Sequence, residues 1–204
     1  MSTVPADAPA ILGLESAGLL ITADEFDAIT EYDENYRYEL IHGVLVVNPI
    51  PNPEETGPNE LLGHLLWEHQ QQNAGSTFDE SLPQQYVRTA VGRRIADRLI
   101  WTGLGRTPDV RRDPAAIAVE FVSAGRRNRR RDYIEKKQEY GEAGVSEYWI
   151  FDRFQRMLTV VSYAHSEIKD VQVAEGNTYE SPLLPGFVVP LDRILAAADR
   201  FAEK

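Results

Sequence analysis

The sequence predicts an α/β (α+β) protein, a mixed central β-sheet flanked by helices, and three observations point to it. Short runs rich in β-branched and aromatic residues recur, among them Ile117-Ala-Val-Glu-Phe-Val122 and Glu147-Tyr-Trp-Ile-Phe151, and such runs read as strands. Helical patterns are interspersed with them. Some strands are joined by tight turns and others by helical crossovers, so neighbours run both antiparallel and parallel.

Residues 1–20 are expected as a flexible lead-in and 21–204 as one domain, a normal size for a single core. Thr22-Ala-Asp-Glu25 is a capping box, because the Thr22 hydroxyl and the Glu25 carboxylate can each satisfy the other's free amide; a short helix should run to about Glu31. Tyr36–Ile41 and Val44–Val47 flank His42-Gly43, a hairpin turn. The Pro/Asn/Glu stretch 48–58 reads as a loop, after which Asn59 caps a helix ending near Gly75. Gln84–Arg88 is a short strand and Ile95–Trp101 a second one. Residues 102–116 carry glycines, prolines and charges and form a loop. Strand 117–122 leads into an arginine cluster and a helix from about Arg130 to Ala143, stopped by Gly144. Strands at 147–151 and 157–163 are joined by a turn over 152–156, 171–173 and 187–189 are edge strands, and 191–201 is a closing helix.

Composition narrows the function classes. The chain has 204 residues and no cysteine, which excludes disulfides and thiolate metal sites. No run of 18 apolar residues is present, so no membrane span is expected, and the first ten residues lack the blocks of a signal peptide; the expected localisation is cytoplasmic. A net charge of −11 opposes a constitutive nucleic-acid binder. The charge is uneven, however: Arg126, Arg127, Arg129, Arg130 and Arg131 crowd together, and the local field decides where a polyanion docks.

An ionised acid inside an apolar strand is costly unless it is paired or binds a cation. Glu39, Asp97 and Glu120 fall in such strands. Asp97 shares a strand face with Ile95 and Leu99, and Glu120 with Ala118 and Val122. If the two strands pair, both carboxylates point to one side, an oxygen-rich arrangement of the kind Mg²⁺ takes. Asp132, Lys136 and Tyr140 are spaced i, i+4, i+8 on one helix face, so Lys136 can turn back toward Glu120. Glu39 lies beside Arg37 and could equally form a sheet-edge ion pair.

These residues resemble the Uma-type restriction endonucleases of the PD-(D/E)XK nuclease superfamily. The matching pieces are Tyr38-Glu-Leu-Ile-His-Gly43, Ala96-Asp97, Val119-Glu-Phe-Val-Ser123, the Asp132, Lys136, Tyr140, Gly144 series, Glu147-Tyr-Trp-Ile-Phe-Asp152 and Leu184-Pro-Gly-Phe187. The resemblance implies a restriction-endonuclease-like fold and DNA cleavage dependent on Mg²⁺ (or Mn²⁺). It places the metal ligands at Asp97 and Glu120, the assisting lysine at Lys136, and an additional site acid at Glu39. A homodimer is among the assemblies it allows. Two departures stand out. The superfamily's lysine usually lies two residues after the glutamate, where this chain has Val122; and the literal Pro-Asp pair is Pro108-Asp109, not Ala96-Asp97. Strand surroundings favour Asp97, with Asp109 as the alternative. The competing function is a catalytically silent nuclease-fold protein that binds DNA or a protein partner.

Overall fold

The computed structural model describes residues 11–73, 75–164 and 167–201. Their contacts divide the chain into two units, Met1–Pro51 with Arg88–Ile95, and Asn52–Val87 with Ala96–Lys204.

The first unit is built on a hairpin. Strands β1 (Tyr36–Ile41) and β2 (Val44–Pro49) pair antiparallel from Ile41↔Val44 to Tyr36↔Pro49. His42 and Gly43 both take positive φ, 50° and 80°, which lets a two-residue turn match the twist of its strands. Helix α1 (Ala23–Ala28) starts at the expected capping box: the Glu25 amide donates to the Thr22 hydroxyl at 3.2 Å and the Thr22 amide to the Glu25 carboxylate at 2.7 Å. Residues 1–10 of the expected lead-in lie outside the described residues. Residues 11–20 are tied down, with Leu12 bridged to Tyr32 and Leu20 to Val44.

The second unit carries a mixed sheet. Helix α2 spans Pro53–Gln72, and its start lies seven residues earlier than the sequence suggested. Its cap is Asn52, not Asn59: the Glu55 amide donates to the Asn52 side chain at 3.1 Å, and Pro53 sits at the first helical position, where no donor is needed. Pro58 reads as a breaker in sequence, yet the helix continues through it at its sixth residue, without the hydrogen bond its missing N–H would have donated. Strand β3 (Phe78–Arg88) is longer than expected and lies beside β4 (Arg93–Thr102). The order continues through β5 (Ile117–Phe121), β6 (Glu147–Asp152), β7 (Met157–Ala164) and β8 (Glu167–Ala174). β4 and β5 are antiparallel, β5 and β6 parallel, and the last two pairs antiparallel.

The parallel pair needs a crossover, and residues 126–142 provide it as α3 (Arg126–Arg130), a wider π-type turn (Arg131–Glu135) and α4 (Lys136–Glu142). β5 and β6 are buried along their whole length, as central strands covered on both faces are. Ile117, Val119 and Phe121 face Leu62 and Leu66 of α2 and Ile194 and Leu195 of the closing helix α5 (Leu191–Asp199). Ala118 and Val122 face Tyr140 and Tyr148 on the other side. Strand alternation therefore sends Glu120 toward the crossover helix. Among the described residues no helix is long and apolar enough to cross a membrane.

Candidate active site

Strand pairing brings two of the predicted acids together. The β4–β5 register pairs Arg98 with Val119 and Leu99 with Ala118; continued by one residue, it sets Asp97 opposite Glu120 on the face toward the crossover helix. The Asp97 carboxylate replaces a strand partner there, with Oδ2 accepting the Phe121 amide at 2.8 Å. Its Oδ1 accepts the Gln84 side-chain amide at 3.1 Å. The Asp97 carbonyl accepts Asn59 Nδ2 at 2.7 Å, which anchors this point of the strand to α2.

Glu120 is 2% exposed. Its Oε1 accepts Lys136 Nζ at 2.7 Å and the Tyr140 hydroxyl at 2.6 Å. The lysine thus reaches the strand acid from the helix, and Val122, at the position where the superfamily usually carries it, is core. Lys136 and Tyr140 are buried, as is Asp132 one turn earlier. Asp132 Oδ1 accepts Arg131 Nε at 2.9 Å, while its Oδ2 is buried without a hydrogen-bond partner. The Asp132 carbonyl accepts the Tyr148 hydroxyl at 3.0 Å, and the Tyr140 and Tyr148 rings meet edge to face 5.0 Å apart. The helix is thereby locked onto β6.

The acids crowd one another. Burial pushes the Asp97 carboxyl up to about 6 against the opposing pull of Lys136 and the Phe121 amide, and Glu55 and Asp132 push it the same way as burial. Glu120 rises to about 8, first from burial, with Lys136 opposing and Asp97 and Asp132 adding to the rise. Both shifts mean that negative charge here lacks compensation.

The other predicted residues have partners of their own. Glu39 belongs to the first unit, where its carboxylate accepts the Ile95 amide and Asn48 Nδ2, each at 2.9 Å. Asp109 is exposed in the loop after β4, close to Arg112 at 3.8 Å and accepting the Arg111 amide. Of the arginine cluster, Arg129 pairs with Asp152, Arg130 with Glu135 and Arg131 with Asp132. Arg126 and Arg127 are exposed. Gln84 and Asn59 went unrecognised in the sequence as neighbours of the acids. Asn59 read as a helix cap, and nothing marks one glutamine of the Gln84-Gln85 pair, since its role depends on which strand lies beside it.

Among the described residues no group of three His, Cys, Asp or Glu side chains is arranged to hold a metal ion. The donors present are two carboxylates on adjacent strands. That set fits Mg²⁺ or Mn²⁺, which keep several waters and need only one or two carboxylates, and it does not fit a closed four-ligand zinc cage.

The mixed sheet with its helical crossover is the restriction-endonuclease-like fold that the sequence predicted. A crystal structure described as a "putative nuclease belonging to DUF820" from Anabaena variabilis shares that fold. It has a TM-score of 0.67 and 11% identity, covering 87% of this chain and 99% of the other. The Uma2 family profile, described as "Putative restriction endonuclease", matches residues 23–193, and the chain belongs to this family. No curated protein matches the chain.

Proposed function

We propose that this protein is a divalent-metal-dependent endonuclease that hydrolyses DNA phosphodiester bonds. The observation that carries the reading is the Lys136 amine 2.7 Å from Glu120 with Asp97 on the neighbouring strand. Asp97 and the Oε2 of Glu120 would hold Mg²⁺ or Mn²⁺. When bound, such an ion polarises a phosphoryl oxygen and lowers the pKa of water.

The protein's own groups do the rest. Lys136 opposes the burial-driven rise at Glu120 and presents a cation where negative charge develops on phosphate, or where the attacking water must be held. Tyr140 fixes the Glu120 carboxylate by the second hydrogen bond to Oε1. Arg126 and Arg127 attract the phosphate backbone toward an otherwise acidic molecule. Glu39 enters as the further acid that the family resemblance implies, and Glu39→Gln tests it separately.

A catalytically silent nuclease-fold protein is the second reading. It is favoured by the depth of the Lys136–Glu120 pair, whose side chains are 4% and 3% exposed. Plasmid nicking with Mg²⁺ or Mn²⁺ separates the two. The enzyme reading expects wild type to nick and Asp97→Ala, Glu120→Ala and Lys136→Ala each to lose about 100-fold or more. Wild-type nicking no faster than that of the three variants would establish the silent protein.

A further inference from the structure

Among the described residues three that are not glycine have positive φ: His42, Gln84 and Arg156. His42 lies in the β1–β2 turn and Arg156 in the turn between β6 and β7, where such angles are needed. Gln84, at φ 51°, lies inside strand β3. A left-handed residue within a strand breaks its regular alternation, and such breaks re-aim a side chain. Glycine, or failing that asparagine, takes this conformation most readily; other residues are strained in it. This chain has glutamine there, and the glutamine amide reaches Asp97 Oδ1 at 3.1 Å.

The chemistry of that contact is specific. Asp97 Oδ2 is held by the Phe121 amide at 2.8 Å, so with Gln84 each carboxylate oxygen has one donor and the plane of the group is set. Both donors are neutral. An arginine or lysine in place of Gln84 would cancel the charge that a cation needs, whereas an amide fixes the carboxylate and leaves its charge in place. The strained backbone at Gln84 is then explained by what its side chain does.

We propose that Gln84 is the positioning residue of Asp97, orienting this carboxylate to bind a divalent cation. The proposal rests on the reading of Asp97 as a metal ligand given above. It is tested by Mn²⁺ binding to the full chain, followed from the electron paramagnetic resonance signal of free Mn²⁺, in wild type, Gln84→Gly, Gln84→Asn and Asp97→Ala. Glycine and asparagine suit the backbone, yet glycine has no side chain and asparagine is one methylene short. Both should bind Mn²⁺ about 10-fold more weakly than wild type, with thermal midpoints equal to or above it. Wild-type affinity in both Gln84 variants, together with loss in Asp97→Ala, overturns the role of Gln84 and leaves the metal reading standing. No Mn²⁺ binding by wild type, or unchanged binding in Asp97→Ala, overturns the metal reading and the Gln84 proposal with it. Weaker binding accompanied by lowered midpoints in both Gln84 variants makes Gln84 a residue of the fold and overturns the positioning role.

Discussion

Glu120 is a buried acid facing a buried base, and its behaviour with pH follows from that. Its carboxyl is raised to about 8 and that of Asp97 to about 6, chiefly by burial. A carboxyl whose folded pKa exceeds its unfolded value gives stability that is present at low pH and lost as pH rises through the folded value. The metal-free protein should therefore lose stability between about pH 4 and pH 8, and Glu120→Gln should flatten that slope in urea titrations. Metal binding runs the opposite way, because a cation must displace the protons. Mn²⁺ affinity should climb steeply up to about pH 6 and more gently from there to about pH 8, as read by calorimetry. Lys136→Met removes the cation that opposes the rise at Glu120. It should cost about 1–3 kcal/mol at pH 8 and less at pH 5, where Glu120 is already neutral.

At the scale of elements, the crossover helix decides whether the acids have a cation beside them. Asp132, Lys136 and Tyr140, whose i, i+4, i+8 spacing predicted a shared helix face, are all buried. The wider turn at Arg131–Glu135 keeps residues four apart more nearly in line than a regular helix does, and such turns occur at functional sites. Asp152 pins the start of this helix to the sheet. Its carboxylate accepts the Tyr133 hydroxyl at 3.1 Å and the amides of Phe154 and Gln155 at 2.9 and 3.0 Å, and it pairs with Arg129 at 3.1 Å. Asp152→Ala should cost about 2 kcal/mol or more, since it removes the shared acceptor of several part-buried donors; Tyr133→Phe should cost about 1 kcal/mol. Chemical denaturation of the two variants checks the ratio.

On the scale of the whole molecule, a net charge of −11 repels DNA at long range, so any encounter depends on local positive patches. Three arginines of the 126–131 cluster pair with acids, which narrows backbone contact to Arg126 and Arg127. The double variant Arg126→Ala/Arg127→Ala should weaken binding to duplex DNA irrespective of sequence. It should also reduce the slope of log affinity against log salt by about 1 for each arginine. An unchanged slope in fluorescence anisotropy would remove these residues from the DNA surface.

Much of this was legible before any coordinates. The turn at His42-Gly43, the Thr22 capping box, the strands read at 117–122 and 147–151 and the shared helix face of Asp132, Lys136 and Tyr140 each follow from local rules, because period, caps and turn residues act over a few neighbours. Other features were not legible. Pro58 disguised the start of α2, since a proline reads locally as a helix breaker, whereas the packing of the whole helix outweighs that local cost. The choice between Asp97 and Asp109 as the acid beside Glu120 was decided by the β4–β5 register, and the contact of Gln84 with Asp97 by the left-handed backbone at Gln84 in β3. The sequence alone determined which residues carry charge into an apolar strand. Only the tertiary structure decided which of them meet, because strand register and helix packing join residues far apart in the chain, and no local pattern records that distance.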